Sequence, residues 1–401
     1  MTGRARAVPA AGAAAAALVL PAVLAACASA SGAAAGSAAA ALPPLAATVT
    51  GPGAAEAAIV VMGGTAARHN NFWQLFVRPA ASSRWLLETP PGTADNGGLM
   101  ATTTGATLAV GFGGSQLLKF SPVAVTGDEG AHWAQAAPVY PGLAASASAL
   151  AAGPGGQGLA LTRTGQVALT ARLAGQGAGW KVITTQRALA GTPAGRACRL
   201  TRLTAVAFGP GGTPLIGGSC ARSGVAGLFT RSGGSWQAAG PALAGTAARG
   251  RVTVASLQAA GGSATALLRA GSGRSAVVLA ATTTAGAAAA SSAGDAVRWR
   301  LSAPQPAGTA RLVFASVSPG GSAGLVRAGN LGSWLAAPGG SWRQLPALPA
   351  GTQALAAGPA GQLDAIATAG HNMTAWRLDP GARAWTQVQR LHVPVPYGSS
   401  E

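Results

Sequence analysis

The sequence predicts an all-β fold, a seven-bladed β-propeller of four-stranded antiparallel blades, preceded by a signal peptide and a disordered tether. Three observations predict it. Tryptophans recur at Trp85, Trp133, Trp180, Trp236, Trp299, Trp342 and Trp385, at intervals of roughly 40–60 residues, close to the period of propeller-type repeats. Glycine/proline turns precede several of them: Gly153-Pro154-Gly155-Gly156, Gly209-Pro210-Gly211-Gly212 and Gly358-Pro359-Ala360-Gly361, each proline 26 residues ahead of its tryptophan. Between these landmarks, short segments alternate small polar and apolar residues with period two. Gly and Pro bound them, the pattern of strands joined by tight turns.

The elements follow in chain order. Residues 1–26 read as a signal peptide, with Arg4 and Arg6 ahead of an apolar run, Ala13 to Ala26, that is too short to span a bilayer. The run ends in Leu24-Ala25-Ala26-Cys27, which resembles a bacterial lipobox. The resemblance implies that Cys27 becomes the lipidated first residue of the mature chain, attached to a membrane without crossing it. Residues 27–45 are rich in Ala, Ser and Gly and close on Pro43-Pro44, the composition of a flexible tether. Residues 46–395 carry the propeller, and 396–401 form a short tail. The clearest repeat places strands at Ser146 to Ala152, Gly158 to Thr162, Val167 to Leu173 and Trp180 to Thr185. The fifth repeat is longer, and Thr282 to Gly294 reads as a low-complexity insertion in its outer turn. Two segments are candidates to complete the last sheet: the one after Pro44, and Leu391 to Tyr397.

Composition narrows the function classes. Hydrophobic residues make up 49% of the chain, enough for a large core, yet only 9% are charged. The basic residues number 27 against nine acidic ones, a formal net charge of +18. Almost all are arginine, an Ala/Gly/Arg-rich usage that resembles that of high-GC actinobacteria. Such a surface is expected to associate with anionic polymers, lipid headgroups or wall phosphates. The basic residues do not form one run interleaved with aromatics, so nucleic acid is not an expected partner. No dense His/Cys/Asp/Glu spacing suggests a metal, and no motif suggests a cofactor. In an exported chain Cys198 and Cys220 are expected to pair as a disulfide.

One turn carries a family resemblance. Thr126-Gly127-Asp128-Glu129-Gly130-Ala131-His132-Trp133 matches the pattern S/T-x-D-x-G-x-x-W along its whole length, and so resembles the Asp box of sialidase-like, or BNR-repeat, propellers. Gly177 and Trp180, Gly233 and Trp236, and Gly339 and Trp342 keep parts of it without the Asp. The resemblance implies a divergent Asp-box propeller in which Thr126, Asp128, Gly130 and Trp133 are structural, on the side away from any ligand site.

The residues offer two candidate binding clusters. Arg196, Arg199, Arg202 and Arg222 surround the two cysteines, in loops expected to share one face. His69, Asn70 and Asn71 of the first repeat meet His371 and Asn372 of the last if the ring closes, with Glu88 and Asp95 flanking them on that face. Imidazole, amide and carboxylate groups over a funnel suit a glycan or peptide. Catalysis is poorly supplied. The resemblance would require an arginine triad, a Tyr–Glu pair and an Asp, but Phe76-Val77-Arg78-Pro79 lacks the family's Arg motif and only Tyr140 and Tyr397 are present. Glycoside hydrolysis needs a carboxylate pair, and Glu88 with Asp95 is the only nearby one. The sequence therefore predicts a non-catalytic, monomeric lipoprotein, anchored through Cys27 to the outer leaflet of the cell membrane, whose propeller binds an envelope glycan, peptide or protein. The alternative is a degenerate exo-sialidase-like glycoside hydrolase.

Overall fold

The computed structural model describes residues 45–49, 55–63, 71–90, 98–112, 123–133, 143–173, 179–260, 262–283, 298–309, 312–327, 331–358 and 360–394. All fall in the compact unit Leu42–Glu401. Cys27, the signal segment and almost all of the tether lie outside the described residues.

The described chain is all-β with a propeller arrangement of antiparallel sheets. The first sheet holds β1 (Leu45–Val49), β2 (Glu56–Gly63), β3 (Asn71–Arg78) and β4 (Leu86–Leu87) in sequence order. The second holds β5 (Gly98–Thr104), β6 (Thr107–Phe112) and β7 (Val123–Thr126). The third holds β8 (Ala147–Ala152), β9 (Gly158–Thr162), β10 (Gln166–Thr170) and β11 (Lys181–Thr185). Two short helices follow, α1 (Gln186–Ala190) and α2 (Pro193–Cys198). A nine-stranded sheet then comprises β12 (Leu200–Phe208), β13 (Pro214–Cys220), β14 (Gly227–Ser232), β15 (Ser235–Ala238), β16 (Val252–Ala260), β17 (Ser263–Ala270), β18 (Val277–Thr283), β19 (Trp299–Leu301) and β20 (Gln305–Pro306). Two four-stranded sheets complete the chain: β21 (Leu312–Val317), β22 (Ala323–Arg327), β23 (Leu331–Leu335) and β24 (Arg343–Gln344), then β25 (Thr352–Ala357), β26 (Leu363–Ala369), β27 (Asn372–Leu378) and β28 (Thr386–His392).

The expected seven separate four-stranded blades are corrected by this arrangement. Five blades of three or four strands stand as separate sheets, and the segment from β12 to β20 forms one continuous sheet. Two local causes account for the difference. β14 stops pairing with β13 at Gly218↔Gly227, which leaves Ser219 and Cys220 free to pair with Thr253 and Val252 of β16. In the second sheet the fourth strand shrinks to a single bridge, Thr126↔Trp133. The insertion expected from Thr282 also starts later, since Thr282 and Thr283 pair within β18. Residues 284–297 lie outside the described residues.

The repeat is nonetheless visible in the packing. Each recurring tryptophan joins a different apolar core, seated against the sheet before its own except for Trp299, whose core lies within the nine-stranded sheet. Trp236 packs with Leu159 and Leu161, Trp342 with Leu267 and Val278, and Trp85 with Ala354, Ile366 and Met373 of the last sheet. An indole offers a large apolar area with one donor, and Trp299 Nε1 uses that donor on the Ala239 carbonyl at 2.7 Å. Glycine/proline turns recur with the same geometry: Gly155 and Gly156 have φ of 69° and 78°, and Gly211 and Gly212 have 71° and 73°, a region that favours glycine.

The first and last sheets close on each other without exchanging strands. β1 pairs with β2, and Leu391 and His392 belong to β28 at the outer edge of the last sheet. Closure is by side-chain and loop contact. Gln389 spans Trp85, accepting from its N–H at 2.7 Å and donating to its carbonyl at 3.0 Å, and Gly63 N–H donates to Gly370 O at 3.0 Å.

Candidate functional site

Two ends of the sheets can be distinguished. One carries the turn of residues 126–133, whose sequence resembles an Asp box, and the other turns between third and fourth strands. The other carries α1, α2 and the turns between second and third strands. Along the helix-bearing end backbone contacts tie together the strand ends and connections of the third and nine-stranded sheets: Gln186 N to Gly165 O, Ala221 N to Arg199 O, Gly224 N to Gly250 O, Gly271 N to Arg251 O and Ala307 N to Ala276 O, all 2.7–3.0 Å.

The connection holding Cys198, expected as an irregular loop, is helical. Thr185 caps α1 by accepting from Ala188 N–H, and Thr192 caps α2 by accepting from Gly195 N–H, with Pro193 opening α2. Threonine caps and a proline in the first turn are ordinary helix-start chemistry. Cys198 ends α2 and forms a disulfide with Cys220 at the end of β13. Beside it, Arg222 N–H donates to Cys198 O at 3.1 Å, and Arg199 closes α2 in the left-handed region at φ 53°. Arg202 pairs across β13 with Ser219. Arg196, Arg199, Arg202 and Arg222 are thus brought together around the bridge, all solvent-exposed. Arg187, Arg249, Arg251 and Arg274 continue the exposed basic seam.

The second candidate cluster is only partly described. His69, Asn70 and Asp95 lie outside the described residues, as does the side chain of Asn71, whose backbone pairs with Gly63. His371 stacks on Phe72 with ring centroids 5.8 Å apart and stands 6.3 Å from His392, and its Nδ1 is buried without a partner. Asn372 starts β27 opposite His392. Glu88 does not join them. Its N–H donates to Leu75 O, three residues along β3 from Phe72, and its side chain packs on the Asp-box turn, where a Cβ at Gly130 would stand 2.9 Å from Glu88 Cβ. Burial and the Asp128 charge push the Glu88 carboxyl up from its ordinary range. A Glu88–Asp95 pair beside the histidines therefore gains nothing from the geometry.

The Asp-box turn is held by its own side chains. Asp128 accepts from the Thr126 hydroxyl at 2.5 Å, from His132 N–H at 2.9 Å and lies 2.7 Å from His132 Nδ1. These contacts, the Thr126 bond foremost, hold the Asp128 carboxyl down to about 2. Gly130 sits at φ 103°, and Trp133 packs on the core between the first two sheets. The Asp128 acceptor sites are engaged by the turn itself, and Glu129 accepts from Ala80 N–H of the first sheet.

A charged group that the sequence reading did not single out lies buried between the first and last sheets. Glu56, 2% exposed, accepts from both Arg78 Nε at 2.8 Å and Arg78 Nη2, and Asp364, 5% exposed, accepts from Arg377 Nε at 2.9 Å. Arg78 Nη2 lies 3.6 Å from Asp364, which joins the two pairs, and the Arg78 guanidinium stands 6.0 Å from the Trp85 ring centroid. Burial and the Asp364 charge push Glu56 up to about 7 against the pull of Arg78. The available signal was a carboxylate inside each apolar run, Glu56 before AAIVVM and Asp364 within LDAIATA, in a chain with few acids. Lys, Glu, Arg and Asp are almost never fully buried unless paired.

Among the described residues every carboxylate, Glu56, Glu88, Asp128, Glu129, Asp364 and Asp379, lies in or toward the Asp-box end, and none lies on the helix-bearing seam. Among those same residues no helix is long and apolar enough to cross a membrane, and no three His, Cys, Asp or Glu side chains converge as a metal site would.

No protein-family model matches the chain, and no curated protein matches it. Solved structures do resemble it. YCF48 from Cyanidioschyzon merolae is 13% identical over 80% of this chain and 92% of its own, with a TM-score of 0.42. A protein from Lactobacillus plantarum is 10% identical over 85% and 96%, with a TM-score of 0.49, and the WD40 repeats of RRP9 are 10% identical over 80% and 92%, at 0.43.

Proposed function

We propose that this chain is a non-catalytic binding protein that presents its arginine-rich, helix-bearing end to an anionic component of the cell envelope. The observation that carries the reading is the sorting of charge: carboxylates gather at one end, while exposed arginines line the other without acidic neighbours among the described residues. A surface of one sign raises the local concentration of oppositely charged partners and orients their approach. The Cys198–Cys220 bridge and the capped helices fix the backbone that carries Arg196, Arg199 and Arg222, so binding costs little ordering there. The same proposal takes Cys27 as a lipid anchor and residues 28–45 as a tether, on the strength of the lipobox-like sequence alone.

The test separates a face from mere net charge. Binding to isolated envelope material is compared between the Arg196/Arg199/Arg202/Arg222→Gln variant and a charge-matched variant, Arg84/Arg172/Arg231/Arg383→Gln, altered at exposed turns of the other end. Loss of affinity of at least tenfold in the first, with the second near wild type, is the expected result. Equal losses reduce the charge to nonspecific adhesion. In the same cells a Cys27→Ser chain is expected to leave the membrane fraction, and its retention there removes the anchor from the reading.

A further inference from the structure

The interface between the nine-stranded sheet and the sheet of β21 to β24 ends in two arginines. Its core holds Leu267, Ala276, Val278, Val317, Ala323 and Leu325. Residues two apart on a strand share a face, so Arg269 follows Leu267 and Arg327 follows Leu325 onto this interface. Both reach the same short segment. Arg269 Nη2 donates to Gly308 O at 3.4 Å, and Arg327 Nη1 donates to Pro306 O at 3.0 Å and to Ala307 O at 3.4 Å. That segment is pinned from below, since Ala276 O accepts from the N–H groups of Ala307 at 2.7 Å and Gly308 at 3.3 Å.

Neither guanidinium has a carboxylate partner among the described residues, and both are half-buried. The Nε of each is buried with no hydrogen-bond partner. Two cations therefore sit on adjacent carbonyls with donors left over, repelling each other in a setting where screening is weak. Guanidinium forks match the oxygens of phosphate and carboxylate groups. The paired positive charge fits the higher negative charge of a phosphate group better than a single carboxylate. An oxyanion seated against both forks supplies the missing counter-charge.

We propose that Arg269 and Arg327 form a phosphate-binding site at the mouth of this interface. It deepens the anionic-partner reading by naming the group recognised, and it stands or falls on its own measurement. The full chain is titrated at constant ionic strength with inorganic phosphate in one arm and glycerophosphoethanolamine, a soluble phosphodiester, in the other. Thermal shift and 31P line broadening are the readouts. A saturable effect in either arm, weakened at least tenfold by Arg269→Gln with Arg327→Gln and unchanged in Arg84/Arg383→Gln, supports the site. Response to inorganic phosphate alone assigns free phosphate or a terminal monoester, and response to both assigns a phosphodiester polymer or lipid headgroup as well. No saturable effect, or an effect that survives the double change, overturns it. Should the double variant fail to fold, Arg269→Lys and Arg327→Lys decide: each keeps the charge and loses the fork, and unchanged affinity in both overturns the proposal.

Discussion

The closure between the last and first sheets and the interface ahead of β21 are built alike and end differently. Each has an apolar core between two sheets, and each ends in a pair of arginines, one from each sheet. At the closure Arg78 and Arg377 meet Glu56 and Asp364, two guanidinium groups against two carboxyl groups. At the other interface, among the described residues, Arg269 and Arg327 meet only the carbonyls of Pro306, Ala307 and Gly308. The difference lies in where a scarce residue was placed. With nine carboxylates for 27 basic residues, two buried acids at one seam mark it as the place where charge is satisfied internally. The other guanidinium pair has no acid beside it among the described residues, and its proposed counter-charge is a phosphate from outside the chain. One pair works as a fastener and the other as a receptor.

The largest effect expected is at the fastener. Asp364→Ala leaves the Arg377 guanidinium, 27% exposed in its side chain, without its carboxylate, and removing one partner of a buried pair costs about 3 kcal/mol. Chemical denaturation measures it; a loss under about 1 kcal/mol would mean that solvent already supports Arg377 and that closure does not depend on the pair. The next effect is of similar size and depends on pH. Glu56 titrates at about 7 when folded against an ordinary 4.5, so the folded state holds this proton more tightly than the unfolded one. The stability it contributes is fully present below about 4.5 and is lost as pH rises through about 7, on the order of 3 kcal/mol in total. Glu56→Gln is expected to remove that slope. A melting-temperature profile from pH 4.5 to 8 that stays parallel in wild type and variant contradicts the assignment.

These two ends also divide what the sequence made legible from what it hid. The strand grammar was readable because it is local. The repeat chosen as clearest has strands at Ala147–Ala152, Gly158–Thr162, Gln166–Thr170 and Lys181–Thr185, within two or three residues of the pattern, and the glycine/proline turns fix their ends. The merging of β13 with β16 was not readable, since it turns on where β14 stops pairing, a matter of one or two residues in a Gly/Ser loop. The buried ion group was hidden for a different reason. Arg78 and Asp364 lie at opposite ends of the chain, and nothing local pairs them. Arg269 and Arg327 were passed over because each terminates an apolar strand, where a lone arginine looks like an ordinary edge residue. Their shared face emerges only once Leu267 and Leu325 are seen in one core. Glu88 shows the reverse error. Its position just after β4 suggested the loop face, but the short β4 leaves it level with Leu75 and against Gly130.

The smallest expected effect is the most discriminating between the two arginine pairs. In chloride buffer, Arg269→Gln with Arg327→Gln is expected to change stability by less than about 1 kcal/mol. Glutamine retains a donor for the carbonyls of the 306–308 segment, no ion pair among the described residues is lost, and the mutual repulsion of two half-buried cations disappears. That relief opposes the packing lost with the longer stems, so the sign is set by two terms of similar size. The same exchange at the fastener, Arg377→Gln, leaves buried Asp364 with only the longer 3.6 Å approach of Arg78 Nη2 and is expected to cost several times more. Equal losses at both places, measured by denaturant midpoint at fixed pH, would mean that Arg269 and Arg327 are caps held in place by carbonyls. A near-neutral double exchange beside a costly Arg377→Gln leaves their charge without a structural purpose among the described residues, as a receptor for an outside oxyanion requires.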